Sequence, residues 1–359
     1  MSSASEAPRR RGGRKISVLT YNVLRDNLHE SSPSRCFEAR AEALYRVIRD
    51  ADADVLCLQE CRDLPDGRGI EPFLERLRTE AGYAYQVHGD AAGGGGGGRL
   101  DNKVLKVATL WKADVFACEQ SRTFWLNAQN CASPLPAAEW GQRVARPLGA
   151  NRLRLRPSPS LRSRPRDSTA ADGADGEDGA EEDGRVLDVW NTHLGHGFLE
   201  KLNSARLLPR LMHAWSGERP ALLVGDFNFF ESGGHEREAA HLRRVLETAR
   251  VPAERPRDAL ERLLGRRYAL LDVGKYARTA LYDLAQTGTF VGSSLDAVRP
   301  APGRIGDRLD YVWAHNVRLA APARIWNKSM RAPEPQPYPP ADPDCYPSDH
   351  FPIVAYVLV

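Results

Sequence analysis

The sequence predicts an α+β fold built as one domain. Ten or more short segments have strand character, against about four with helical spacing. These do not alternate in the βαβ rhythm of a parallel sheet. The low-complexity stretches interrupt the chain without dividing it into two globular halves. Of the 359 residues 42% are hydrophobic, enough to bury a substantial core.

The elements follow in order. Ile16 to Val23 alternates branched and polar residues, as a strand does. From Glu38 to Ile48 the apolar residues Ala41, Leu44, Tyr45 and Ile48 fall at helical spacing. Ala53 to Leu58 is a short apolar run, a buried strand ending at Gln59-Glu60. Ile70 to Ala81 reads as a helix and Tyr83 to Val87 as a strand. Six consecutive glycines, Gly93 to Gly98, can build no packed element and predict a flexible loop. Val104 to Trp111 and Asp114 to Glu119 read as paired strands, and Val144 to Arg156 as another. Pro157 to Gly184 is first Arg/Ser/Pro-rich and then Asp/Gly/Ala-rich, a disordered hairpin insertion. The strand Val186 to Thr192, the helix Phe198 to Trp215, the buried strand Ala221 to Val224 and the helix Glu236 to Ala249 come next. Leu309 to Ala314, Val317 to Trp326 and Phe351 to Val359 close the chain as strands, with a Pro-rich loop from Pro333 to Pro347.

Charge narrows the function. The net charge is +3, but residues 172–183 hold seven acids and no bases; without them 50 bases face 40 acids. The tail (Arg9, Arg10, Arg11, Arg14 and Lys15 against Glu6) and the stretch Arg152 to Asp167 (six arginines, one aspartate) carry most of that surplus. The remaining body is near neutral, unlike a dedicated duplex-DNA binder. No apolar run spans a bilayer, and the tail lacks a secretory signal's apolar segment. The six cysteines form no C-x-x-C pair, so free thiols are expected, in an intracellular, cytoplasmic or nuclear setting.

Chemically capable polar residues recur where strands end: Asn22, Glu60, His193, Asp226, Asn228, Asp310, Asp349 and His350. Polar groups gathered at one edge of a core are costly unless they pair with each other, a metal or a ligand. Carboxylates with an amide oxygen suit a hard cation such as Mg²⁺, and histidines beside it can move a proton or face phosphate. No P-loop, dinucleotide fingerprint or Ser-His-Asp order is present.

Six segments, Thr20-Tyr21-Asn22, Leu58-Gln59-Glu60, Asn191-Thr192-His193-Leu194, Gly225-Asp226-Phe227-Asn228, Arg308-Leu309-Asp310-Tyr311 and Ser348-Asp349-His350, together resemble the endonuclease/exonuclease/phosphatase superfamily in order and rough spacing. The resemblance implies a four-layer α/β/β/α sandwich of two mixed β-sheets flanked by helices. It gives a disordered basic tail over 1–14 and one domain over 15–359, with disordered insertions at about 89–99 and 157–184. It implies a Mg²⁺-dependent phosphoester hydrolase, with Mn²⁺ as a substitute cation and a metal- and Asp-activated water. The substrate would be a phosphodiester or nucleic acid, or alternatively an inositol phosphate or lipid headgroup cleaved as a monoester. A catalytically inactive binding scaffold is the remaining reading; no membrane span or organic cofactor is expected.

Carried onto this sequence, Glu60 resembles the principal metal carboxylate, with Asn22 and Asp349 as further ligands. Asp226 resembles the group that orients and deprotonates the attacking water, with Asn228 as its partner. His193 resembles the phosphate-binding or leaving-group histidine, and His196 is its reserve. His350 would contact the phosphate, oriented by Asp310, and Asn191 and Tyr311 would be supports. A finer likeness, Thr123-Phe124-Trp125-Leu126-Asn127 with Trp140-Gly141-Gln142-Arg143, resembles a branch marked by Phe-Trp-Leu-Ser, with Asn127 in place of the serine. These residues would line the cleft wall or form a core aromatic cluster.

Overall fold

The computed structural model describes residues 13–25, 36–63, 69–89, 105–128, 131–157, 185–230, 234–252, 266–268, 270–273, 308–325 and 348–359. The basic tail before residue 13, the glycine run, most of the 157–184 insertion, the Pro-rich loop and Cys345 lie outside them.

Two six-stranded sheets form the body. The first has the order β13(Arg318–Ile325), β14(Ile353–Leu358), β1(Lys15–Asn22), β2(Val55–Cys61), β4(Lys106–Lys112), β3(Tyr83–His88). The second runs β11(Leu271–Asp272), β12(Asp310–His315), β8(Ala221–Asp226), β7(Val186–His193), β6(Pro147–Leu155), β5(Phe116–Trp125). A short ribbon pairs β9(Arg250–Val251) with β10(Arg266–Arg267). Both sheets are mixed: β1 is parallel to β2 and antiparallel to β14, and β7 is parallel to β8 and antiparallel to β6.

Side-chain alternation sorts the apolar residues into three layers. Ile16, Val18, Val55 and Cys57 from the first sheet meet Leu187, Val189, Leu222, Val224, Val312 and Ala314 from the second. Leu19, Tyr21, Leu56 and Leu58 face outward and pack under α1(Phe37–Ala51) and α2(Ile70–Ala81). Trp190, Leu223, Tyr311 and Trp313 face outward from the second sheet, beneath α3(Phe198–Ser216) and α4(Glu236–Glu247). The four-layer α/β/β/α sandwich is therefore observed. The described cysteines are free thiols, with Cys57 and Cys61 buried.

One reading of the sequence is corrected. The strands on either side of Ala113 are not partners: β4 pairs with β2 and β3, whereas β5 pairs with β6. The turn closed by Val115 N–H donating to the Lys112 carbonyl (3.1 Å) hands the chain from one sheet to the other, and Val115 and Phe116 bury in the layer between them. Alternation alone cannot tell a hairpin from a crossing between layers. The three two-residue strands β9 to β11 carry no period long enough to read.

Candidate active site

Extending the alternation to the strand ends puts polar residues on the inner face. On β1 the inward series Ile16, Val18, Thr20 ends at Asn22; on β8, Leu222 and Val224 lead to Asp226; on β7, Leu187, Val189 and Asn191 lead to His193. In the second sheet His193 lies beside Asp226, and Asp226 beside Asp310, in adjacent rungs. Gly225 makes that closeness feasible: its φ is +143°, and a Cβ there would sit 1.9 Å from the Thr192 carbonyl oxygen.

Glu60 arrives differently. Strict alternation would turn it outward with Leu58. Instead the β2–β4 register slips between Leu58 and Cys61, and Glu60 takes a φ of +60°. A bulge of this kind re-aims a side chain. Glu60 Oε1 accepts from Asn22 Nδ2 at 3.3 Å, while Oε2 accepts from the Arg25 amide at 3.0 Å.

The two sheets meet on one atom pair. Asn22 Nδ2 also donates to Asp226 Oδ2 at 3.0 Å, so Glu60 and Asp226 share a single amide nitrogen. On the same Asp226 oxygen, His193 Nε2 closes to 3.5 Å and His350 Nε2 to 3.7 Å. His350 Nδ1 bonds Asp310 Oδ2 at 2.8 Å, the carboxylate–imidazole pair anticipated from the sequence. Asp349 Oδ1 lies 3.9 Å from His350 Nε2. Ser348 Oγ donates to the Asn22 carbonyl at 2.6 Å and accepts from the His350 amide at 3.2 Å, tying this last segment to β1.

Asn228, with a φ of +52°, donates its amide N–H to Asp226 Oδ1 (2.9 Å) and its side-chain nitrogen to the Leu194 carbonyl (2.8 Å), with His193 Nε2 at 3.3 Å. Its side-chain nitrogen thus orients His193. Asn191 is a strut between the sheets. It donates to the Leu58 and Ala108 carbonyls at 3.1 and 2.9 Å and accepts from Gln59 Nε2 at 2.8 Å. Tyr311 packs on the outer face against Phe227 and Phe229, with ring centroids 5.7 and 5.4 Å away. Both flanking phenylalanines are buried, so Asp226-Phe227-Asn228 is no solvent turn. His196 is exposed at the rim.

Burial divides the titrating groups. Burial pushes the Asp226 carboxyl up to about 7, aided by Asp310 and opposed by His350 and the Asn22 and Asn228 N–H groups. Burial disfavours charge on His350, but Asp310, Asp226 and Asp349 outweigh it and lift the ring to about 10. Burial, with the charges of Arg146, His350 and His196, drops His193 to about 3 against the pull of Glu60. Burial raises Asp349, with Glu60 adding to that rise and His350 opposing it. Burial also opposes the charge on Glu60, yet His193, Arg25 and Asn22 hold it below its ordinary value.

Two donor sets could be offered to a cation. Asp226, Asp310 and His350 present ligand atoms all within 4.8 Å of one another. A protonated His350 bound to Asp310 has no lone pair to give, so this trio is better suited to handling protons. Glu60 and Asp349 with the Asn22 amide oxygen are an all-oxygen set of the kind hard cations take. A cation held there would offset the burial that chiefly raises Asp349 and the Glu60 charge that adds to it.

The sequence reading passed over Arg40 and Lys201 and gave Ser348 no role. Arg40 and Lys201 are 2% exposed. Each shares the buried stripe of its helix, Arg40 four residues before Leu44 and Lys201 four before Ala205. A cation inside an apolar stripe was the available signal. Phe124 stacks on Trp190 at 5.5 Å and sits 5.7 Å from Trp215, so this ring belongs to the core under α3. Asn127 ties its own loop, donating to the Ser133 and Leu135 carbonyls at 2.9 and 3.1 Å.

Fold and site together define a sandwich whose two sheets share one buried acidic and imidazole cluster. The sequence profile of the Endonuclease/Exonuclease/phosphatase family matches residues 19–184. Over that segment the chain is similar to the endonuclease/exonuclease/phosphatase family, and solved structures so described share its fold. An endonuclease/exonuclease/phosphatase from Bacteroides vulgatus shares 18% identity over 96% of this chain and 98% of its own, with a TM-score of 0.60. The mannosyl-6-phosphatase Bt3783 of Bacteroides thetaiotaomicron shares 17% over 96% and 100%, with a TM-score of 0.60. The human Nocturnin catalytic domain shares 17% over 96% and 94%, with a TM-score of 0.51. No curated protein sequence matches the chain.

Proposed function

We propose that this protein is a metal-dependent phosphoester hydrolase that uses water as its nucleophile. The supporting observation is the convergence of Asn22, Glu60 and Asp226 on one amide nitrogen, with His193 and His350 against the same Asp226 oxygen. Glu60 and Asp349, with the Asn22 oxygen, would hold Mg²⁺ or Mn²⁺. When bound, the cation supplies charge neutralisation and Lewis-acid polarisation at a phosphate oxygen.

The chain's own groups do the rest. Asp226 orients a water in line with phosphorus and takes its proton; a carboxyl poised near 7 is matched to that task. His350, kept protonated by Asp310, directs Nε2–H toward a phosphoryl oxygen, where charge builds in the transition state. His193, neutral and oriented by Asn228, faces the phosphate or the leaving oxygen.

The leading substrate is a phosphodiester, nucleic acid included. One observation favours a second reading, a small phosphorylated molecule. Arg152 is bound to Asp188 at 2.9 Å, Arg154 to Glu119, and Arg156 to the Phe116 carbonyl at 3.2 Å. Asp188 is five residues from His193 on β7, about 17 Å along the strand. These arginines are therefore committed to the fold and lie far from the cluster. A neighbour named as a mannosyl-6-phosphatase has the same architecture, which supports that second reading.

The test is hydrolysis of bis(p-nitrophenyl) phosphate and of p-nitrophenyl phosphate with Mg²⁺ and with excess EDTA. Turnover that EDTA abolishes is expected; turnover indifferent to EDTA overturns the reading. Single-stranded DNA cleavage that falls steeply with added salt would select nucleic acid, and a flat response a small substrate.

A further inference from the structure

The two sheets present their site residues through the same local device, built twice. In the first sheet Asn22 ends β1, its Oδ1 accepts the Leu24 amide at 3.0 Å, and Leu24 stands in the left-handed region at φ +54°. In the second sheet Asp226 ends β8, its Oδ1 accepts the Asn228 amide at 2.9 Å, and Asn228 stands at φ +52°. Each is a turn closed by an acid or amide side chain onto the residue two ahead. Each then places a residue with a Cβ in the left-handed region, a position less favourable for Leu24 than for Asn228.

The carbonyl of that left-handed residue is met each time by a buried cation from a covering helix, the one after β1 in the first sheet and the one before β8 in the second. Arg40 of α1 donates to the Leu24 carbonyl at 2.5 Å and to the Val23 carbonyl at 2.8 Å. Lys201 of α3 donates to the Asn228 carbonyl at 2.9 Å. Its charge is balanced by Glu238 of α4 at 2.5 Å, and its ammonium lies 5.7 Å from the Phe230 ring centre. Arg40 lies against the Phe37 ring, 5.7 Å from its centre. A buried carbonyl needs a donor, and a buried cation is expensive unless it finds acceptors. Each pairing meets both demands.

We infer that Arg40 and Lys201 are matched positioning residues: each clamps one half of the site by holding the strained turn that aims Asn22 or Asp226 into the cleft. Both are buried, and each acts on the site through its turn. The assignment of separate consequences rests on the proposed hydrolase reading. Loosening the Arg40 turn misplaces Asn22 and the loop before Arg25, which holds Glu60, so it weakens cation binding. Loosening the Lys201 turn misplaces Asp226 and Asn228, so it slows the proton transfer.

The experiment compares Arg40→Met and Lys201→Met with Arg40→Lys and Lys201→Arg, which retain a donor. Mn²⁺ affinity is measured by calorimetry, steady-state kinetics at saturating Mn²⁺, and backbone exchange by deuterium uptake in peptides covering 22–26 and 226–230. Lys201→Met is expected to lower kcat about 30-fold with KM and Mn²⁺ affinity within threefold. Arg40→Met is expected to weaken Mn²⁺ at least tenfold while kcat at saturating metal stays within fivefold. Deuterium uptake should rise only in the peptide each residue clamps, and the conservative variants should recover most of each loss. If both Met variants show the same mixture of losses, or exchange rises equally in both peptides, the clamps are merely structural and the inference fails. If the wild-type protein hydrolyses no phosphoester, the exchange data still decide the clamp while the hydrolase reading falls alone. Should a Met variant not fold, its conservative partner carries the comparison: exchange in the clamped peptide unchanged by Arg40→Lys or Lys201→Arg supports the clamp, and uptake spread over the whole chain overturns it.

Discussion

The two sheets contribute unequally to one site, and the difference shows how each half was made. The second sheet delivers its groups in rungs: His193, Asp226 and Asp310 are lateral neighbours, and plain alternation turns them inward. In the first sheet only Asn22 follows plain alternation, and the other groups arrive by exception. Glu60 reaches the cleft through a register slip and a positive φ, and Asp349 comes from the segment before β14. The regular half holds Asp226, Asp310 and His193, while the irregular half holds the oxygens that would hold a cation and also brings in His350 beside Asp349. Proton handling needs short, fixed distances, which a ladder supplies. Cation binding needs oxygens from several directions, which one strand face cannot supply.

The sharpest way to break this division is to remove one member from each half. Asp226→Ala should lower kcat about 10³-fold, within the range for losing a general base, and added Mg²⁺ should not restore it. Circular dichroism and a melting curve close to those of the wild type would show that the fold survives. A variant with full turnover would remove Asp226 from its assigned role.

Glu60→Gln should be milder and of a different kind. At 1 mM Mg²⁺ we expect kcat/KM down about 10²-fold, with much of it regained at high Mg²⁺, as for a weakened ligand set. If raising Mg²⁺ rescued Asp226→Ala equally well, the halves would not be separable.

The smallest effect is a shift in a pH profile. Asp226 must be ionised to take a proton, so kcat/KM should rise with pH up to about 7 and then level. His350 must be protonated to donate, so the rate should fall as pH approaches about 10. Asp310→Asn removes the partner that most raises the ring, so the alkaline fall should move to lower pH while the acidic limb changes less. An alkaline limb unmoved in that variant would show that His350 is not the titrating group.

Much of the fold was legible because burial writes itself as periodicity. The helix Ile70–Ala81 matches residue for residue, and most other strands and helices lie within a few positions of their expected bounds. The hairpin expected around Ala113 was misread because a turn between layers and a turn within a sheet leave similar traces in sequence. The site residues were legible as polar positions where apolar strands stop. Arg40 and Lys201 escaped because a cation on a helix ordinarily signals solvent, and their partners, the Leu24 and Asn228 carbonyls, are backbone atoms with no side-chain signature.

The sequence by itself determined the strands, their inward and outward faces, and the acids and imidazoles waiting at their ends, since each depends on neighbours a few residues away. Only the tertiary structure decided that β4 and β5 lie in different sheets, that Glu60 turns inward on a bulge, and that one Asn22 nitrogen joins Glu60 to Asp226. Those outcomes depend on the facing of two sheets whose strands are far apart in the chain, and no local period records which face meets which.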